Sequence, residues 1–348
     1  MKIRAFITHK LSEKYSDCQD RFHINQDSRI LAVSDGMSQS IFPDIWADLL
    51  SEQYAKNGHC DEADRQILCD DWLQQVESYR DLQKLAGKQT WKLDNCLAER
   101  KGAGATICGV KFKNATDWEG DVLGDSCIIE VDKNQGKAKI YSSEEKAFDS
   151  YPDFYDSYPD KKGRGIIKSF TGSINPDKVL LLVSDPFSEF FYANKDDCKT
   201  LIDQILKINN HREFCQLVED WRWNGMHNDD STLCVIEFDG DLSFNIITQD
   251  DISQMMEEEH LISEKTGESF PNDEKVSESI KPCAEKESST CDLSYIIIEI
   301  SKIIDEIFPS RNLQQRGKGK GKNHDREKKN VEKLKMKIRD FLASIKNV

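Results

Sequence analysis

The chain has 348 residues, 38% of them hydrophobic and 32% charged, with a formal charge of −15. That length allows a full core, in one large domain or two ordinary ones. The charge argues against a nucleic acid or an anionic membrane held through overall electrostatics. Eleven cysteines are scattered without a Cys-x-x-Cys pair, so neither a zinc ribbon nor a redox motif is indicated, and free thiols in a reducing cytosol are expected. The first ten residues lack the apolar core of a signal peptide, and no apolar run approaches the length of a membrane span. The expectation is a cytoplasmic protein with no membrane or nucleic-acid partner.

Taken in order, Ile3 to Thr8 reads as a first strand and Glu13 to Asp20 as a polar loop. Arg21 to Val33 reads as paired strand around a turn at Asn25-Gln-Asp-Ser. The apolar run Ile30–Val33 stops at Ser34-Asp35-Gly36, so a buried strand delivers a carboxylate to its open end, where glycine permits a sharp turn or a close approach. A helix follows from Asp44, with Ile45, Trp46, Leu49, Leu50 and Tyr54 at helical spacing and Asn57-Gly58 closing it. Residues 61–100 continue as helix, with Ile67, Leu68, Trp72, Leu73 and Val76 on one face.

From Gly102 the period returns to that of strands, and Trp118 to Val131 carries Gly124-Asp125-Ser126 between two apolar runs. Residues 141–165 contain Asp-Ser-Tyr-Pro-Asp twice and read as an excursion over the surface, outside the core. Lys178 to Val183 is a second apolar run ending at Ser184-Asp185. Helices are expected across 189–208 and 211–223, then a strand from Thr232 to Phe238 directly after Asn228-Asp229-Asp230-Ser231. The compact domain is expected to span 1–248 and an acidic flexible linker 249–290. A helical tail at 291–348 carries the apolar stripe from Leu293 to Phe308 and the basic hinge Gly317–Lys322. The tail helices can pair with each other, dock on the main domain or recruit a partner.

Asp20, Asp35, Asp125, Asp185 and Asp229 all lie at predicted strand junctions. Mg²⁺ and Mn²⁺ prefer oxygen donors, and two such ions side by side can activate a water for in-line attack on phosphorus. Ordinary Asp turns are the alternative for any one of these positions. The dispersed histidines read as surface or core residues; His227 precedes Asp229 by two positions, which does not establish reach to a leaving group.

The ordered set Gln19-Asp20-Arg21, Ala32-Val-Ser-Asp-Gly36, Gly104-Ala-Thr106, Gly124-Asp-Ser126, Leu181-Leu-Val-Ser-Asp185 and Asp229-Asp-Ser-Thr232 resembles the motifs of metal-dependent serine/threonine phosphatases of the PP2C class, the bacterial branch most closely. The resemblance spans residues 1 to about 240. It implies an α+β fold: a four-layer αββα sandwich of two antiparallel sheets flanked by helices, to which this chain adds a C-terminal helical extension. It also implies two Mg²⁺ or Mn²⁺ ions and a third held more loosely. Asp35 would bridge the pair, the Gly36 carbonyl would bind one ion, and Asp185 and Asp229 would complete the ligands of the second ion. Asp20 would act through a coordinated water, and Asp125 with Asp185 would hold the third ion.

The implied activity is hydrolysis of phosphoserine and phosphothreonine in proteins by a metal-activated water, with a cognate Ser/Thr kinase, or another protein at the tail helices, as further partners. The chain departs from the family pattern at Pro186, at Cys127 and in lacking the usual phosphate-binding arginine upstream of the first aspartate. Lys14 or Arg21 is the candidate substitute, with Arg21 placed among the catalytic residues. These departures leave open a catalytically weak or inactive phosphoprotein-binding module.

Overall fold

In a computed structural model of the chain, residues 1–143, 152–161 and 163–266 are described here. They lie within the compact unit Met1–Asp273. In chain order, β1 (Lys2–Thr8) precedes a 3-10 turn at Tyr15–Asp17, β2 (Asp20–Asn25) and β3 (Ile30–Asp35). Helices α1 (Pro43–Asn57), α2 (Glu62–Leu85) and α3 (Trp91–Ala98) follow, then β4 (Gly104–Ala105), β5 (Ile107–Phe112), β6 (Asp117–Leu123), β7 (Cys127–Asp132), β8 (Lys137–Tyr141) and β9 (Tyr155–Asp156). The chain continues through β10 (Lys168–Ser173), β11 (Lys178–Val183), α4 (Asp185–Ala193), α5 (Lys199–Ile205), α6 (His211–Trp223), β12 (Ser231–Glu237), β13 (Asn245–Gln249) and α7 (Ile252–Thr266).

One sheet has the order β13-β1-β12-β11-β7-β8 and the other β10-β6-β5-β3-β2. Apolar residues at successive strand positions point to opposite faces, so a strand that is apolar throughout needs cover on both. Leu31 and Val33 of β3 meet Leu180 and Leu182 of β11 and Cys234 and Ile236 of β12 in the core between the sheets. Their neighbours face outward. Ile30 and Ala32 pack with Trp46, Leu50, Tyr54 and Trp72 of α1 and α2, while Val179, Leu181 and Val183 pack with Phe187, Phe191, Phe214 and Trp221 of α4 and α6. Three cores in series make four layers, αββα. Each fully buried Leu or Phe contributes about 1.5–3 kcal/mol.

Local signals set the helix ends. Asp61 caps α2, accepting from the Ala63 and Asp64 N–H groups at 2.8 and 3.0 Å, and Gly58 ends α1 at φ +78°.

Several details differ from the sequence reading. The first sheet is not wholly antiparallel, because β13 joins β1 in parallel. Ile67 is 64% exposed and lies off the buried face of α2. The Tyr-Pro-Asp excursion is not only surface: Tyr155 and Tyr158 join the core under α1 and α2. The wholly buried Arg65 holds it there, donating to the carbonyls of Asp156 (2.7 Å), Tyr158 (3.1 Å) and Pro159 (3.1 Å).

The acidic stretch after 248 begins with ordered elements instead of linker. Strand β13 ends at Gln249, and α7 follows because Glu259 can accept the Tyr15 N–H at 2.9 Å and lie 3.6 Å from His9. The rest of the expected linker and both tail helices lie outside the described residues.

Candidate metal centre

All five aspartates arrive at one end of the sandwich. Asp20 opens β2 and stands directly opposite Asp35, which closes β3. Directly opposed residues project to the same face with Cβ atoms about 4.5–5.5 Å apart. Asp125 sits in the turn from β6 to β7, where Gly124 adopts φ +96° and a Cβ would meet the Asp153 carbonyl oxygen at 2.5 Å. Asp185 follows β11 as the first residue of α4, where the helix dipole favours a carboxylate. Pro186 occupies the next position, in the first turn, where its missing N–H costs no helical hydrogen bond. Asp229 lies just before β12. Gly36 needs to be glycine here because a Cβ would fall 2.7 Å from the Pro43 carbonyl oxygen.

Hydrogen bonds across and within the two sheets fix this end. The Thr232 hydroxyl of β12 donates to Asp20 Oδ2 of β2 at 2.7 Å. The Ser184 hydroxyl accepts from the Thr232 N–H at 2.9 Å, and Ser34 donates to the Thr106 carbonyl at 2.6 Å. The neighbouring Asp230 ties the two approach loops to β12, accepting from Lys10 N–H at 3.0 Å and from Gln19 N–H at 2.7 Å. Arg222 of α6 braces the same segment by donating to the Asp229 carbonyl at 2.6 Å.

The electrostatics are those of crowded like charge. Restricted solvent access pushes the Asp35 carboxyl well above its usual range, and Asp20, Asp185, Asp125 and Asp229 push it further. Asp185 is raised by the same loss of solvent and then by Asp125, Asp229 and Asp20. Asp20, fully buried, is pushed up to about 7 by burial and then by Asp230. Two oxygens, Asp20 Oδ1 and Asp185 Oδ1, are buried without a hydrogen-bond donor. Carboxylates brought together and undersupplied with donors are costly unless a cation offsets them. The donors are nearly all oxygen, so the residues fit hard divalent cations of the Mg²⁺ or Mn²⁺ kind.

The structure corrects one expectation and adds two residues. Arg21 does not present a guanidinium for phosphate. Its Nη1 donates to the carbonyls of Cys18 (2.8 Å) and Asp20 (2.7 Å), and its other nitrogens face Asp44 and Asp48 of α1. A side-chain ammonium is brought to this rim by Lys10, 2.9 Å from Asp229 and 2.9 Å from the Ser38 hydroxyl. Burial alone would lower the Lys10 pKa; the hydrogen bond to Asp229 and the charges of Asp229, Asp230 and Glu13 raise it instead.

His227 is the second addition: Asp185, His227 and Asp229 each place a ligand atom within 4.8 Å of the others. Lys10 carries no sequence signal of its own, and His227 only its place two positions before Asp229. Lys10 is brought in because Thr8 pairs with Ser231 across β1 and β12. Beside this end lies a cleft of about 530 Å³ lined by Glu13, Asp17, Gln19, Phe42, Pro43 and Asp44. Phe42 on its wall holds φ +49°, a left-handed conformation that costs a non-glycine residue about 1–2 kcal/mol.

Among the described residues no helix is long and apolar enough to cross a membrane. No protein-family model matches the chain, and no curated protein matches it. Among solved structures it is similar to a bacterial serine phosphatase at 15% identity and a TM-score of 0.44, covering 69% of this chain and 98% of that one. It is also similar to the serine/threonine phosphatase Stp1 from Staphylococcus aureus at 14% identity and a TM-score of 0.43, covering 68% and 95%. A third is the S. agalactiae serine/threonine phosphatase, at 14% identity and a TM-score of 0.43, covering 68% and 98%. By its own architecture the chain is a four-layer αββα sandwich, two packed sheets between helical layers, with five aspartates gathered at one end.

Proposed function

We propose that this chain is a divalent-cation-dependent phosphatase acting on phosphoserine or phosphothreonine in proteins. The observation that carries the reading is the convergence of five aspartates from five separate strand junctions, two of them with buried oxygens that no protein group serves. Asp35, Gly36 through its carbonyl, Asp185 and Asp229 would hold two ions, Asp125 with Asp185 a third, and Asp20 would act through a coordinated water. Bound there, Mg²⁺ or Mn²⁺ supplies Lewis acidity and a water activated as nucleophile. Thr232 orients Asp20, Asp230 and Arg222 fix the segment carrying Asp229, and Lys10 offers an ammonium to a phosphate oxygen from its position between Asp229 and Ser38. A phosphoprotein and its cognate kinase are the proposed partners, in the cytoplasm.

Hydrolysis of a phosphothreonine peptide by the full chain, with and without Mn²⁺, tests the reading. Activity should require the cation and vanish in Asp35→Asn; full activity in that variant would remove the role given to Asp35. A second reading, a phosphoprotein-binding module with little or no turnover, is favoured by the engagement of Arg21 with α1 and the Cys18 carbonyl. Calorimetric binding of Mn²⁺ without hydrolysis would select it.

A further inference from the structure

We infer that His227 supplies an imidazole nitrogen to the cation position between Asp185 and Asp229, so that this position prefers nitrogen-accepting transition ions such as Co²⁺ and Zn²⁺ over Mg²⁺. The inference rests on the cation-binding half of the reading above and goes beyond the all-oxygen ligand set that the sequence motifs imply.

Three observations meet at this point. Ligand atoms of Asp185, His227 and Asp229 lie within 4.8 Å of one another, a spacing compatible with a single ion. Asp185 Oδ1 is buried and accepts no hydrogen bond, so the group opposite His227 lacks a donor. The loop is also braced where these side chains leave it. The Asp229 N–H donates to the His227 carbonyl at 3.2 Å, a tight turn that links the two ligands. Arg222 holds the Asp229 carbonyl at 2.6 Å, and Asp229 Oδ1 takes Lys10 at 2.9 Å and the Asp230 N–H at 2.7 Å.

His227 itself is exposed, and it borders the carboxylates from the solvent side.

The chemistry makes the consequence selective. Mg²⁺ demands oxygen donors and keeps several waters, so it gains little from an imidazole. Affinity at a nitrogen-containing site rises along the first-row series toward Co²⁺ and Ni²⁺, and imidazole suits Zn²⁺ particularly well. Removing the ring should therefore separate the ions instead of weakening all of them.

The experiment uses the full chain, stripped of cations by a chelator, with Co²⁺ and Mg²⁺ as probes in competition with a chromophoric chelator. His227→Ala should weaken Co²⁺ by at least about 10- to 100-fold, the loss typical even for an outer partner of a metal ligand, and change Mg²⁺ by no more than about twofold. The Co²⁺-loaded wild type should show a paramagnetically shifted imidazole N–H resonance that His227→Ala lacks. Because His227 is exposed, unchanged thermal unfolding of the metal-free variant serves as the folding control. Asp185→Asn should weaken both ions, separating loss of the site from loss of the ring. Equal weakening of both ions in His227→Ala, unchanged Co²⁺ affinity, or no shifted imidazole resonance in the wild type would overturn the inference. If the Co²⁺ preference holds while no cation supports phosphopeptide hydrolysis, the phosphatase reading fails and this one stands; if the wild type binds no cation, both fail.

Discussion

The contact between Thr232 and Asp20 joins the two sheets at the site and yields a sharp prediction. Thr232→Val keeps nearly the same volume, so it opens no cavity, but it removes the hydroxyl that donates to Asp20 Oδ2 at 2.7 Å. Asp20 is fully buried and its other oxygen accepts nothing, so water cannot easily replace the lost donor. A hydrogen bond to a charged group contributes about 1.5–3 kcal/mol. For a domain of this size, at roughly 2–4 °C per kcal/mol, that is a fall in Tm of about 3–12 °C.

The same hydroxyl holds the Asp20 carboxyl down against burial and the charge of Asp230. Its loss should therefore drive that carboxyl further up. The assay is urea unfolding of the full chain in chelator at neutral pH, run as a cycle with Asp20→Leu. In the Asp20→Leu background the Thr232 hydroxyl has already lost its acceptor, so replacing it should be nearly neutral. A Thr232→Val protein within about 0.5 kcal/mol of wild type, or one whose loss simply adds to that of Asp20→Leu, would refute the reasoning.

Three further outcomes are expected. Gly109→Ala places a Cβ 2.2 Å from the buried Tyr54 ring, whose hydroxyl is anchored to the Gly109 carbonyl at 3.0 Å, and should cost about 1–3 kcal/mol or more in urea unfolding; a neutral result would mean the ring can move aside. Burial alone would lower the His211 pKa, but Asp250 at 2.7 Å and the neighbouring Cys215 raise it to about 10 from the ordinary 6.5, with Tyr15 also bonded to Nε2. The stability carried by that protonated ring is fully present below about 6.5 and disappears as pH rises through about 10. Wild type should therefore lose about 1–2 kcal/mol more than His211→Asn across that window, a figure already reduced for the partly exposed ring. Mn²⁺ at a hundred times its dissociation constant should raise stability by about 2.7 kcal/mol over chelated protein, and Asp35→Asn should remove most of that gain in thermal unfolding.

The amino-acid sequence determined what each short stretch could do alone. Runs such as Ile30–Val33 and Val179–Val183, apolar on both faces, had to be strands covered on both sides, and each ends at an aspartate because a charged side chain ends the dry interior. Gly58 marked the end of the first helix through local backbone chemistry, which acts over a few residues. The candidate carboxylates were legible for the same reason: each sits at its own strand junction.

Tertiary structure alone decided what those carboxylates meet. Thr232 reaches Asp20 across 212 positions, and Lys10 reaches Asp229 only because β1 pairs with β12. Arg21 looked available until α1 supplied Asp44 and Asp48, and Arg65 drew a polar excursion into the core by satisfying its carbonyls. His227 carried no signal beyond being two residues from Asp229; its approach to Asp185 depends on where β11 and β12 end side by side. Local sequence fixes backbone preference, whereas contact between distant side chains follows from sheet order and register.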